Sequence, residues 1–196
     1  MNVPPQWEQP SQSKGRNAAL WVVLAVAFGG CVICCPFGLS IFLPVLSQAK
    51  DAAKLTACNS HLKQIGLALA IYAGDFDDRW PDSGSWMDRA EPYLPKPESK
   101  GDRPALTAKQ IFSCPAAERD GYGYAMVSKL GGTKTSKPEF PAHTILIFET
   151  ADLTRNAHSD EVKPPVPSRH MKRNVYLFAD GHTDYFPDTA DPSKLY

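Results

Sequence analysis

From Ala18 to Leu46 the chain reads AALWVVLAVAFGGCVICCPFGLSIFLPVL, without one charged side chain. Directly after it, charges return at intervals that keep one face apolar. At about 1.5 Å per residue the uncharged run exceeds a hydrocarbon core of about 30 Å, so 18–46 is expected to be a transmembrane segment. Leu55, Cys58, Leu62, Ile65, Leu69, Tyr72 and Phe76 then recur at alternating spacings of three and four, which predicts an amphipathic extension of the same helix over 47–76. Gly74 and the acidic run DFDD supply its stop. The period changes after that. SWMDRAEPYLP is expected to make a short helical turn, while QIFSCP, GYGYAMVSKLGG and HTILIFET read as strands. NVYLFADGHTDYF reads as two strands about a two-residue Asp180-Gly181 turn of type I′. The expected fold is thus α+β, with a long N-terminal membrane-crossing helix packed against a small antiparallel β-sheet in a domain over 77–196. Residues 1–17, rich in Pro, Gln and Ser, are expected to form a disordered tail.

Two processing signals compete with an uncleaved span. AVA at Ala25 to Ala27 has the small-residue form of a secretory cleavage site, and FGGC places Cys31 where a lipid could be attached. The apolar run continues well past both, which favours a retained span. Lys14 and Arg16 before it are balanced by Lys50 and Lys54 after it, so charge does not set the orientation. Cys31, Cys34 and Cys35 inside the run read as small apolar residues or acylation sites. Outside it stand only Cys58 and Cys114, an even pair expected to form a disulfide, which favours an extracytoplasmic C-terminal domain and a single-pass cell-membrane location.

With 21 basic and 21 acidic side chains in 196 residues, the chain has no net charge to attract a polyanion, and no nucleic-acid partner is expected. The 18 prolines gather in the tail and around 80–104 and 134–167, which predicts long loops there.

The stretch LPVLSQAKDAAKLTACNSHLKQIGLALAIYAGDFDDRWP, the IFSCP element, and His170 followed after nine residues by Asp180-Gly181 together resemble a bacterial prepilin-like family, similar to type IV pilins and type II secretion pseudopilins. The family's members are largely of unknown function. The resemblance implies a pilin-like fold and a membrane-anchored envelope protein making protein–protein contacts, whose partners are the lipid bilayer and other pilin-like proteins. The span departs from the family's pattern: WVVLAVAFGG has neither the glycine–phenylalanine cleavage junction nor the acidic residue that registers subunits in a filament.

Candidate chemistry centres on His170, Asp180, His182 and Asp184, with Glu149 or Asp152 at the end of the TILIFET strand. Residues two apart share a strand face, so His182 and Asp184 can cooperate, whereas His170 lies outside the first strand, at the far end from the turn. No phosphate loop, nucleophile elbow or His-Glu-x-x-His run is present. The expectation is a non-enzyme without cofactor, with His170, Asp180 and Gly181 as a signature motif. The alternative is a tethered ligand- or metal-binding module in which His170, His182 and Asp184 are the candidate metal ligands.

Overall fold

The computed structural model describes residues 14–95, 106–117 and 120–190; at 14–17, 19 and 26–43 it describes the backbone alone. Most of the predicted tail therefore lies outside the described residues. The chain divides into two compact units, Met1–Gln48 and Ala49–Tyr196. Helix α1, Lys14–Asp75, is the described part of the first and runs into the second. The second unit adds short helices α2 (Trp86–Ala90) and α3 (Ala108–Ile111), and strands β1 (Tyr124–Val127), β2 (Ile145–Glu149), β3 (His158–Ser159), β4 (Arg173–Phe178) and β5 (Thr183–Pro187).

Two parts of the expected fold are corrected. Among the described residues no helix is long and apolar enough to cross a membrane, which overturns the membrane-crossing helix and the single-pass location with it. The described apolar side chains of 18–46 fall into two short groups, Ala18 with Leu20–Ala25 and Pro44–Leu46, each well below the about 20 residues a crossing needs. The side chains between them lie outside the described residues. The sheet, in turn, is mixed: its order is β3-β1-β2-β4-β5, and β3 pairs parallel with β1. β3 runs opposite to β2, as a hairpin partner would, but it lands beyond β1 on the outer edge, where its direction matches that of β1.

The periodic face of α1 is the foundation of the core. Cys58, Leu62, Ile65, Leu69 and Tyr72 are buried, the first four completely. Those four meet Tyr124, Met126, Leu146, Ile147, Val175 and Leu177 on one face of the sheet, with Trp86, Met87, Ile111 and Phe112 completing the cluster. Phe76 lies beyond the last residue of α1 and is exposed, with its ring stacked on Tyr72. A smaller cluster of Ala125, Ile145, Phe148, Tyr176 and Phe178 covers the opposite face. No strand forms at QIFSCP: Gln110 and Ile111 belong to α3, whose first turn Thr107 and Gln110 cap reciprocally, and Phe112 to Pro115 follow as turn and loop.

A bulge between Ile145 and Ile147 decides the orientation of β2. By strict alternation Ile145, Ile147 and Glu149 would share one face. The irregularity carries Leu146 and Ile147 together into the main core, so Phe148 turns away and Glu149 turns toward α1.

Candidate metal centre

Four segments far apart in sequence bring ligand-type side chains to one buried point. Cys58 arrives on α1, Cys114 on the loop after α3, Glu149 at the end of β2, and His170 just before β4; their donor atoms all lie within 4.8 Å of one another. Cys58, Glu149 and His170 are fully buried and Cys114 is 3% exposed.

Each is aimed by local structure. Gly123 lies so close to the Cys114 loop that a Cβ there would stand 2.7 Å from the Cys114 amide nitrogen, so only glycine permits this approach. The amide of Gly123 also donates to the Phe112 carbonyl at 3.0 Å, which holds the loop against the start of β1. Glu149 is oriented by the Val175 amide, which donates to Oε2 at 2.9 Å and leaves Oε1 turned to the cluster. His170 reaches the site because the chain reverses immediately after it. Met171 and Lys172 both take positive φ, 46° and 65°, and the Arg173 amide closes the turn on the His170 carbonyl at 2.8 Å. Two non-glycine residues in the left-handed region carry a conformational cost, a kind of strain that clusters at functional sites. Arg169 steadies the same segment by donating to the Thr150 carbonyl at 2.6 Å.

Inside the cluster Glu149 Oε1 lies 2.9 Å from His170 Nε2 and accepts from the Cys114 thiol at 3.1 Å, while Cys114 Sγ lies 3.3 Å from His170 Nε2. Without a metal, the neighbouring Cys58 and burial push the Cys114 thiol far up, and His170 opposes them only in part, so the sulfur stays protonated. Burial pulls His170 down, but Cys114 and the Glu149 carboxylate outweigh it and raise it to about 9. The Cys114 thiol and the His170 imidazolium thus both bear on Glu149 Oε1. His170 Nδ1 is buried with no partner, so this arrangement leaves one polar atom of its own ring unsatisfied.

The donor set fits zinc. Bond lengths of about 2.0–2.3 Å place the corners of a tetrahedron roughly 3.3–3.8 Å apart, so donors already gathered within 4.8 Å need shift by about 1 Å or less. Two sulfurs disfavour calcium and magnesium, which take oxygen ligands. Four protein ligands with almost no solvent access close the coordination sphere, the pattern of a structural rather than a catalytic zinc site.

The residues singled out from sequence fare differently. Cys58 and Cys114, expected to be bridged, do stand together, and both are free thiols. His170 and Glu149 join them, but the candidates His182, Asp184 and Asp152 do not. His182 and Asp184 are exposed on β5 and its approach. His182 stacks on Phe178 and its Nδ1 lies 2.6 Å from Asp180 Oδ1, an interaction within one turn. Asp152 is exposed, with Oδ1 accepting from the Thr154 amide. The signature residues His170 and Asp180-Gly181 mark opposite ends of β4, about 20 Å apart at strand rise. Nor is the Asp-Gly turn type I′. Only Gly181 has positive φ, 90°, and its amide donates to the Phe178 carbonyl at 3.0 Å, while the Phe178 amide bonds the His182 carbonyl at 2.9 Å. That is a three-residue loop with glycine in the bulge position.

A cleft of about 230 Å³ opens near β3, lined in part by Phe148, Asp152, His158 and Lys163. Its one cation, Lys163, is paired with Glu161 at 2.9 Å, and none of the four buried ligand residues lines it. Compared with models of protein families, with curated proteins and with solved structures, the chain matches none.

Proposed function

We propose that this protein is a metal-binding module, not an enzyme, in which Cys58, Cys114, Glu149 and His170 hold one zinc ion that staples α1 to the sheet. The observation that carries this reading is the convergence of four buried ligand-type side chains, each from a different segment, within 4.8 Å. An unliganded set of that composition is a costly core, because buried carboxylate and imidazole must satisfy one another at the expense of hydration. A divalent cation neutralises two thiolates and engages the carboxylate and imidazole at once. The resemblance to pilin-like proteins supports a task of contact with other proteins, with the metal holding the contact surface in shape.

Zinc titrated into the metal-free full chain at pH 7 is expected to saturate at one equivalent and to release protons, among them those of the Cys114 thiol and the His170 imidazolium. Calorimetry in buffers of different ionisation enthalpy counts them. Affinity should fall as pH falls, since protons then compete for the same atoms. Absence of saturable zinc uptake contradicts the proposal.

A further inference from the structure

His61 is 5% exposed, yet it is not one of the four clustered ligands. It follows Cys58 by three residues on α1, so the two share a helix face. Its Nδ1 lies 3.1 Å from the carbonyl oxygen of Ser113, the residue just before Cys114. A carbonyl only accepts, so Nδ1 carries the proton and donates. Burial pushes the ring below its ordinary value of 6.5, outweighing the pull of the carbonyl, so at pH 7 it is a neutral donor.

The Cys114 loop is held on its own side by bonds that do not reach α1. Ser113 Oγ lies 2.7 Å from the carbonyls of Lys109 and Gly121, and the Ala117 amide donates to the Cys114 carbonyl at 2.9 Å. The His61–Ser113 bond does reach α1, and it joins the segment carrying one sulfur to the segment carrying the other.

We infer that His61 is a positioning residue of the metal centre, fixing the separation of the Cys58 and Cys114 sulfurs by tying α1 to the Ser113 peptide. The inference rests on the metal-binding reading above. Outer contacts that orient metal ligands change affinity by about 10–100-fold when removed. Leucine at 61 preserves apolar volume and removes the donor; asparagine places an amide N–H near the position of Nδ1; glutamine places it one carbon farther out.

The test is zinc affinity of the full chain, measured by competition with a coloured chelator, for wild type, His61→Leu, His61→Asn and His61→Gln. The expected order is wild type, then Asn within a few-fold, then Gln, with Leu about 10–100-fold weaker and its zinc lost correspondingly faster. Equal affinity of His61→Leu and wild type overturns the inference while leaving the metal site intact. Failure of wild type to bind zinc overturns the metal site itself. Should the leucine variant not fold, the Asn–Gln pair decides: asparagine tighter than glutamine supports the inference, and equality or reversal refutes it.

Discussion

Replacing Glu149 by alanine is expected to abolish zinc binding and to destabilise the chain by about 3–5 kcal/mol even with a chelator present. The carboxylate is fully buried and serves three donors: Val175 N–H, the Cys114 thiol and the His170 ring. Its removal strands a buried imidazolium and an unpaired amide in a new cavity. The pH dependence has a definite sign. His170 is raised from 6.5 to about 9 in the folded metal-free chain, so the stabilisation it draws from its partners is complete below about pH 6.5 and is lost as pH rises through about 9. Urea unfolding of the metal-free proteins should therefore show the gap between wild type and Glu149→Ala narrowing between about pH 6.5 and 9 and changing little above that. Glu149→Gln keeps an acceptor for Val175 and should cost less, about 1–2 kcal/mol. A gap below about 1 kcal/mol for the alanine variant at pH 6 would show that the buried pair is not what organises this end of the sheet.

The second large effect lies in the core cluster that also holds Cys58 and Cys114. Trp86→Ala is expected to cost about 3–5 kcal/mol and to lower the thermal midpoint of both the metal-free and the zinc-loaded chain. Trp86 is fully buried, meets Phe112 edge-to-face with ring centroids 5.6 Å apart, and donates from Nε1 to the Ala157 carbonyl at 3.0 Å. Phe112, which loses its ring partner in the variant, stands two residues before Cys114, and all three side chains belong to the same core cluster. Phenylalanine at position 86 would retain much of the packing and lose the hydrogen bond, and should fall between alanine and wild type. Scanning calorimetry with and without zinc separates the packing loss from any change in metal binding.

How much of this was legible in the sequence differs from residue to residue. The helix stripe from Cys58 to Tyr72 was, because the period of burial on a helix is fixed by its geometry and this helix packs on one side only. The hairpin of β4 and β5 was legible through its alternation and its glycine. The membrane span was not, because an uncharged run reports composition and the described part of α1 does not sustain it at the length a crossing requires. The short strand β3 escaped because two residues of pairing leave no pattern. As for the site, Cys58 and Cys114 were correctly expected to meet, but a sequence cannot say whether two neighbouring thiols bridge or share another partner. Glu149 carried a usable signal, a lone carboxylate in the otherwise apolar run TILIFE, where a buried charge demands a partner. What hid that partner was the turn at Met171-Lys172. Neither residue is one that advertises positive φ, so His170 read as lying beyond the far end of the strand instead of folded back to meet Glu149.

Cobalt(II) added to the metal-free full chain probes the four-residue centre, because its spectrum reports both sulfur ligation and geometry. The expected result is one equivalent bound, a thiolate-to-cobalt charge-transfer band that weakens in Cys58→Ala and Cys114→Ala, intense visible bands of a four-coordinate centre, and displacement of the whole spectrum by one equivalent of zinc. A weak octahedral spectrum without charge transfer, unchanged by either cysteine substitution, would contradict it.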